Sequence, residues 1–197
     1  MSLVLDKAAQ DLLFREARTA NAFTDEPVTD EQVRAIYDLV KYAPTAMNAQ
    51  PLRVLLVRGA EARERLVGHM SEGNRAKTAA APLVAVLAYD VDFHEELPKT
   101  FPHAPGAKDG FDGDEAVRQK VGSFNASLQV GYFILGVRAA GLAAGPMAGF
   151  DAAGIDGEFF GDGAHRTLAV VNIGRPGPDA WFARSPRLEF EEVVTTV

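Results

Sequence analysis

Residues 114–142 read DEAVRQKVGSFNASLQVGYFILGVRAAGL, and they indicate how the rest of the chain is arranged. Apolar side chains recur here every three or four positions, which predicts one long helix. They are Val117, Val121, Phe124, Leu128, Tyr132, Leu135 and Ala139. The other faces carry the small residues Gly122, Ala126, Gly131 and Gly136. Small residues inside a helix cost stability unless another element packs closely, and a partner helix is the usual reason. The stretch therefore indicates a dimer interface, with a core helix in a monomer as the alternative.

Three short runs around this helix are typical of buried strands, because they are branched or apolar and end at Gly, Pro or charged residues. They cover residues 53–57, 83–89 and 167–173. Helices are predicted over 5–18, 60–70 and 72–81, and after Asp151. One more helix begins at a capping box of Thr29 and Gln32 and ends before Pro44. Without a repeat or a linker, this order predicts one domain over residues 1–197, an α+β sandwich with one mixed sheet.

The composition points to chemistry that comes from a bound cofactor. None of the 197 residues is cysteine, which excludes disulfides, thiolate nucleophiles and iron–sulfur clusters. A formal charge of −7 disfavours nucleic acid as a partner. The first 18 residues lack the pattern of a signal peptide, and no stretch is long and apolar enough to span a bilayer. We therefore expect a cytoplasmic protein with no membrane association.

Common catalytic motifs are absent from the sequence. There is no GxGxxG, no Walker A motif, no HExxH and no GxSxG, so Rossmann-type dinucleotide binding and nucleophile-elbow hydrolysis lose their best evidence. One metal hypothesis remains, in which Asp90, Asp92, His94 and Glu95 bind a divalent ion. The competing interpretation is that these acids follow a strand and simply contact solvent or the next helix.

Four distant segments suit an anionic, planar, heterocyclic ligand. Residues 18–23, RTANAF, place a cation and a hydroxyl at a helix end, where they can hold phosphate. Residues 44–51, PTAMNAQP, form a loop whose small residues let main-chain amides approach a ligand, and Asn48 offers a donor and an acceptor. Residues 145–150, GPMAGF, are flexible and apolar enough to lie against a ring. Residues 184–187, RSPR, add a cationic pair to an acidic chain.

Together with further motifs, these segments resemble the nitroreductase family of FMN enzymes, and most closely its malonic semialdehyde reductase-like branch. The marks, in chain order, are ARTANAF, APTAMNAQP, GNRAKTAAAP, FPH, GLAAGPMAGFD and ARSPRLEFEE. The resemblance covers nearly the whole chain. It implies an α+β fold with a mixed, mainly antiparallel central sheet flanked by helices, in a homodimer that binds FMN between its subunits.

The resemblance also implies a set of cofactor-binding residues. Those expected near the FMN phosphate are Arg18, Thr19, Arg184 and Arg187. Those expected to contact the flavin ring from the other subunit are Pro44, Thr45, Asn48, Pro146, Met147 and Gly149. Asn74 and Lys77 are expected at the ribityl chain and the pyrimidine edge. Asn21 stands where many relatives have Lys or Arg, and Lys77 is our candidate to supply that positive charge.

By the same resemblance, NADH or NADPH donates hydride to the flavin in a ping-pong cycle, and a small acceptor then takes it. The acceptor is malonic semialdehyde, which gives 3-hydroxypropionate, or a nitroaromatic or quinone. No side chain is nominated as a catalytic acid or base, although His103 is the candidate proton donor in a stretch, 91–113, that we expect to be a mobile loop over the site. Arg75 or Lys99 would pair with a carboxylate substrate. The alternative function is a flavin-binding protein without redox turnover.

Overall fold

The central sheet consists of four runs of small or branched residues. The computed structural model describes residues 3–161 and 163–197. Within them, an antiparallel sheet has the order β1-β2-β4-β3. Its strands are β1 Leu52–Val57, β2 Leu83–Asp90, β3 Ala143–Met147 and β4 His165–Gly174. The three predicted strands are confirmed as β1, β2 and β4, and every pairing described is antiparallel.

Strand β3 was not expected, because Gly, Ala and Pro have low strand propensity. It forms because it pairs with β4 over its whole length, and the chain after the first helix also contacts it, where the N–H of Ala20 donates to Ala144 O at 3.0 Å. A Cβ at Gly145 would lie 2.5 Å from Ala20 O, so only glycine fits this approach. The first three residues of the segment 145–150, which we expected to be flexible, therefore belong to a strand.

Helices cover both faces of this sheet. They are α1 Lys7–Gln10, α2 Asp30–Val40, α3 Ala60–His69, α4 Glu72–Ala80, α5 Leu97–Thr100, α6 Glu115–Ala139, α7 Ala152–Phe159 and α8 Phe190–Val193. The predicted capping box of α2 is confirmed, since Thr29 accepts from the N–H of Gln32 and the Gln32 side chain accepts from the N–H of Thr29. The first helix is shorter than expected. It passes into a π-helical turn over Asp11–Arg15 and ends before Arg18.

Strand β2 lies in the middle of the core, and its alternate side chains enter two different layers. Leu83, Ala85 and Leu87 face α2 and α6. Val84 and Val86 face α3 and α7. Burial of each such Leu or Val contributes about 1.5–3 kcal/mol, which makes the two layers the main source of stability. No helix among residues 3–161 and 163–197 combines the length and apolar character that a membrane crossing requires.

Helix α6 is oriented differently from our expectation. Three of its four small residues, Gly122, Ala126 and Gly136, are buried inside the chain, and Gly131 is exposed. A Cβ at Gly136 would lie 2.3 Å from Val40 Cγ1 of α2, and one at Gly122 would lie 3.0 Å from the Tyr89 ring. The predicted apolar stripe instead points outward, with Phe124 65% exposed. Packing within the chain therefore accounts for Gly122 and Gly136, and the dimer interface stays a prediction. The exposed apolar face of α6 is the feature that indicates a partner.

Segment 91–113 is more ordered than a mobile loop. It contains 3₁₀ turns at Phe93–Glu96 and Pro105–Ala107, with α5 between them. Phe93, Leu97 and Phe111 are buried in a small core of their own, which also includes Ala49. This segment therefore packs against the loop that precedes β1, and the expectation of an irregular stretch is wrong.

Candidate functional site

A cationic pocket lies between the end of the first helical segment and the C-terminal part of the chain. Residues 17–21 and 182–187 enclose a cavity of about 200 Å³. The expected phosphate-binding residues meet here with Asn21, and they are Arg18, Thr19, Arg184 and Arg187. Three guanidinium groups in one cavity of a chain with net charge −7 favour an anionic ligand.

Main-chain carbonyl groups hold these arginines in place. Nη1 of Arg18 donates to Phe182 O at 3.2 Å. Nη2 of Arg184 donates to the carbonyls of Arg15 and Ala17, which ties the C-terminal segment to the π-helical turn. Nη1 of Arg187 donates to the carbonyls of residues 185 and 186, at 2.9 and 3.1 Å. These bonds use one nitrogen of each guanidinium, which has five N–H groups, so the pocket retains donors for a phosphate.

Helix α4 extends this pocket toward the end of β3. Nζ of Lys77 lies 3.4 Å from Asn21 Oδ1, which joins α4 to the cationic pocket. Three residues earlier, Nδ2 of Asn74 donates to Gly149 O at 2.9 Å. A Cβ at Gly149 would lie 2.8 Å from Asn74 Nδ2, so glycine lets the two elements approach. Asn21, Lys77, Asn74 and Gly149 therefore form a continuous polar track.

Two further residues expected at the flavin ring, Pro146 and Met147, lie in β3. Pro146 is half-buried, and Met147 is 7% exposed. Sδ of Met147 accepts from Thr78 Oγ1 at 3.7 Å and from Asn172 Nδ2 at 3.9 Å, so its side chain belongs to the core beneath α4. Within the described residues, Oδ1 of Asn172 is buried without a hydrogen-bond partner.

The loop at residues 44–51 forms a second, separate part of the site. Pro44, Thr45 and Asn48 line a cavity of about 440 Å³ next to α2. Three non-glycine residues in this loop have left-handed backbones: Met47 at φ 53°, Asn48 at φ 49° and Gln50 at φ 45°. Each such residue costs about 1–3 kcal/mol, and such residues cluster at ligand sites.

Side-chain amides hold this strained loop from three directions. Nδ2 of Asn48 donates to Thr100 O in α5 at 2.8 Å, and its Oδ1 accepts from Gln50 Nε2 at 3.0 Å. From α6, Oδ1 of Asn125 accepts from the N–H of Ala46 at 2.7 Å. One turn further on, Oε1 of Gln129 accepts from the N–H of Leu52 at 3.0 Å.

Sequence reasoning missed Asn125 and Gln129. The available signal was two amides spaced four residues apart on the helix face that also carries Gly122, Ala126 and Gly136. Polar residues on a buried face need partners, and the nearby loop provides them.

Within one chain, the predicted residues form two groups rather than one. Pro146, Met147 and Gly149 lie with Asn74 and Lys77, whereas the resemblance grouped them with the loop at 44–51. That loop lines its own cavity beside α2.

Comparison with known proteins shows to which family the chain belongs. The sequence matches the profile of the Nitroreductase family over residues 14–175. The chain belongs to the nitroreductase family. A Streptomyces coelicolor protein with the provisional name NADH dehydrogenase/NAD(P)H nitroreductase is 71% identical over 197 residues, which is 100% of both chains.

Solved nitroreductase structures share the fold. A provisionally assigned nitroreductase from Bacillus subtilis superposes with a TM-score of 0.86 at 22% identity, over 98% of this chain and 100% of that one. A provisionally assigned nitroreductase from Exiguobacterium sibiricum, solved in complex with FMN, gives a TM-score of 0.85 at 18% identity, over 100% and 99% of the two chains. At these identities the likeness shows the nitroreductase fold alone.

Arg138 supports the N-terminal side of the site in this nitroreductase chain. Its Nη1 donates to Leu13 O at 3.1 Å, a carbonyl in the π-helical turn that leads to Arg18. Burial lowers the pKa of the Arg138 guanidinium from its ordinary value, because the charged form loses hydration. The bond compensates part of that loss and fixes the segment before the cationic pocket.

Three further candidates lie outside the two cavities described above. Nε of Arg75 donates to Met70 O at 2.9 Å, and Lys99 pairs weakly with Glu96 at 3.8 Å, its side chain 84% exposed. His103 is exposed, and its ring lies 4.0 Å from the Phe101 ring, centroid to centroid. Arg75 follows Asn74 directly on α4, whereas Lys99 and His103 belong to segment 91–113.

The predicted metal cluster does not assemble as expected. Asp90 pairs with Arg53 at 2.6 Å, and Asp92 lies 3.6 Å from Arg118. His94 Nε2 instead lies 3.4 Å from Asp112 Oδ1 and 3.7 Å from Glu95 Oε1. Lys108 Nζ lies within 3.3 Å of both carboxylates and offsets part of their negative charge. Hydrogen bonds to these two carboxylates raise the pKa of Lys108.

Proposed function

We propose that this nitroreductase-family chain is an FMN-dependent oxidoreductase that uses NADH or NADPH. The main observation behind the proposal is that the cationic pocket is continuous with the polar track. Together they extend from Arg18 and Arg187 through Lys77 to Gly149. A flavin mononucleotide has a phosphate at one end and a hydrogen-bonding ring at the other, and this order matches it. The name of the Streptomyces coelicolor relative supports NADH or NADPH as electron donor.

The residues present fit such a cofactor by charge and by their hydrogen-bonding groups. The guanidinium groups would bind the phosphate, and Asn74 and Lys77 would contact the ribityl chain and the ring edge. Gly149 allows Asn74 to reach its carbonyl, because a Cβ at this position would lie 2.8 Å from Asn74 Nδ2. When bound, FMN supplies the hydride-transfer chemistry, while the protein side chains bind and orient it and exclude water. The positive charge of Lys77 would stabilise negative charge that develops on the ring.

We further propose that the single domain of residues 1–197 works as a homodimer. On α6, Phe124, Leu128 and Tyr132 are 65%, 42% and 42% exposed. Large apolar side chains are also exposed near the C-terminus, among them Phe182 and Leu188, each at 71%. Apolar exposure of this extent marks an interaction surface. A second copy would cover it and would also bring the loop at 44–51 to the cationic half of its partner's site.

For the acceptor, a neutral nitroaromatic or a quinone is better supported than malonic semialdehyde. The two cations considered for a carboxylate substrate, Arg75 and Lys99, line neither cavity. Lys77, the cation at the proposed ring edge, already has Asn21 as a partner. The provisional name of the Streptomyces coelicolor relative also contains nitroreductase.

The test is anaerobic reduction of the purified, FMN-loaded protein. We expect a yellow protein whose absorbance near 450 nm is lost on addition of NADH or NADPH and returns with a nitroaromatic or a quinone; that wavelength is about the ordinary flavin maximum. Yellow absorbance that persists with both donors would favour the flavin-binding protein without turnover. A faster return with malonic semialdehyde than with either neutral acceptor would reverse our substrate assignment. A colourless protein that takes up no added FMN would refute the proposal.

A further inference from the structure

Two buried amides of α6 bracket the strained loop at residues 44–51. Asn125 is 3% exposed and Gln129 is 8% exposed. One accepts from the N–H of Ala46 and the other from the N–H of Leu52, so the three left-handed residues lie between the two bonds. We propose that Asn125 and Gln129 are positioning residues that hold this loop in the shape that contacts FMN. This inference rests on the proposed function.

The two side-chain amides are arranged so that they hold the loop as well as fill the core. They are four positions apart, which places both on one face of α6 about one turn from each other. Nδ2 of Asn125 donates to Val121 O at 2.9 Å, and this bond orients its Oδ1 toward the loop. Because both side chains are buried, water does not replace either acceptor when one is removed.

Left-handed backbone at non-glycine residues persists only where surrounding structure enforces it. In this loop the bonds to other elements include those to α6 at its two ends and that of Asn48 to Thr100 in its middle. Gln50 is also held, because its N–H donates to Thr45 Oγ1 and its carbonyl accepts from Arg53 Nη1. Loss of an α6 acceptor lets the loop relax to ordinary backbone angles. The fraction of molecules with a binding-competent loop then falls, and the apparent dissociation constant of FMN rises by the same factor.

The experiment compares variants that remove an acceptor with variants that keep it. Gln129→Met and Asn125→Leu have similar size but cannot accept a hydrogen bond, whereas Gln129→Glu and Asn125→Asp retain a side-chain oxygen. We expect the FMN dissociation constant, measured by fluorescence titration, to rise about tenfold in the first pair and about threefold or less in the second. Hydrogen exchange at the amides of Ala46 and Leu52 should accelerate in the first pair without FMN present.

A matched control separates loop positioning from loss of stability. Thr167→Val removes the 2.6 Å bond from the buried Thr167 Oγ1 of β4 to Asp156 of α7, a bond in which no residue of the loop takes part. Its Tm should fall by a similar amount with no change in FMN affinity. Should Asn125→Leu fail to fold by circular dichroism, Gln129→Met decides the question, because it alters one acceptor only.

The outcomes distinguish the inference from the proposed function. If the wild-type protein binds FMN and Gln129→Met binds it equally well, the inference is wrong and the proposed function stands. An equal loss of affinity in Thr167→Val would also overturn the inference, because general destabilisation would then explain the effect. A wild-type protein that takes up no FMN would overturn the proposed function, and the positioning role with it.

Discussion

Arg187 offers the sharpest test of the cationic pocket, because its guanidinium supports little else. Its two hydrogen bonds go to the carbonyls of residues 185 and 186 in the same turn. Arg184 differs, since its Nη2 ties the C-terminal segment to the carbonyls of Arg15 and Ala17. Arg187→Ala should therefore weaken phosphate binding without loss of stability, whereas Arg184→Ala should lower both.

The size of the effect follows from the charge-assisted bond that is lost. A hydrogen bond between charged groups contributes about 1.5–3 kcal/mol, and exposure to solvent places Arg187 at the lower end. At 1.4 kcal/mol for each factor of ten, FMN should bind to Arg187→Ala about tenfold more weakly. Riboflavin has the same ring without the phosphate, so its affinity should not change.

Fluorescence titration of both ligands at low and high salt measures this difference. For the wild type, the preference for FMN over riboflavin should shrink as salt screens the pocket, and the variant should show a smaller dependence. Equal weakening of FMN and riboflavin would refute the assignment of Arg187 to the phosphate. So would an FMN affinity that the substitution leaves unchanged.

Three other substitutions test the remaining parts of the structure. Lys77→Ala should make the reduction potential of bound FMN more negative by about 30 mV, or about 1.4 kcal/mol, in spectroelectrochemical titration, and the exposed control Lys99→Ala should not. Arg63→Met should lower the free energy of unfolding in urea by about 3 kcal/mol, because three buried main-chain carbonyls lose the guanidinium as their donor. An unchanged midpoint of the urea transition would contradict this stabilising role of Arg63. Phe124→Glu should give a folded monomer by sedimentation and lose FMN; a stable dimer would exclude α6 from the interface.

Local signals predicted much of the fold. The capping box of α2, the strands β1, β2 and β4, and the helices α3 and α4 follow from side chains that act within a few residues of one another. Strand β3 could not be found in this way, because its small residues form a strand only through the pairing with β4 and the contact with Ala20. The evidence for this strand lies in contacts between residues that are far apart in the sequence.

Helix α6 shows why hydrophobic periodicity alone did not predict which face of the helix is buried. Its regular apolar stripe, which includes Phe124 and Leu128, was the obvious core face for a single chain, yet it is the exposed one. The buried face carries glycines and two amides because α2 approaches closely at Gly136 and the loop at 44–51 needs acceptors. A pattern of hydrophobicity shows that a face is to be covered, and it does not show by which molecule.

The candidate site was predictable by residue type but not by arrangement. The resemblance grouped Arg18, Thr19, Arg184 and Arg187, and the structure brings these four residues to one cavity, whereas their role as phosphate ligands stays a prediction. It gave no sign that Gly149 lies with Asn74, since that contact depends on how α4 meets the end of β3. The left-handed residues of the loop were also hidden, because Met and Gln rarely adopt such angles without tertiary support.

Helix α6 connects the two halves of the proposed site. Its inner face supplies Asn125 and Gln129, which hold the strained loop, and its outer face presents Phe124 and Leu128 for a second copy. Three left-handed residues at about 1–3 kcal/mol each represent a substantial strain for one loop. A rigid helix fixed on both faces can maintain that strain, whereas a helix with one solvent-exposed apolar face has fewer contacts that resist movement. Because the loop and the cationic pocket are separate within one chain, a dimer built on α6 would both complete the cofactor site and stabilise the backbone that shapes it.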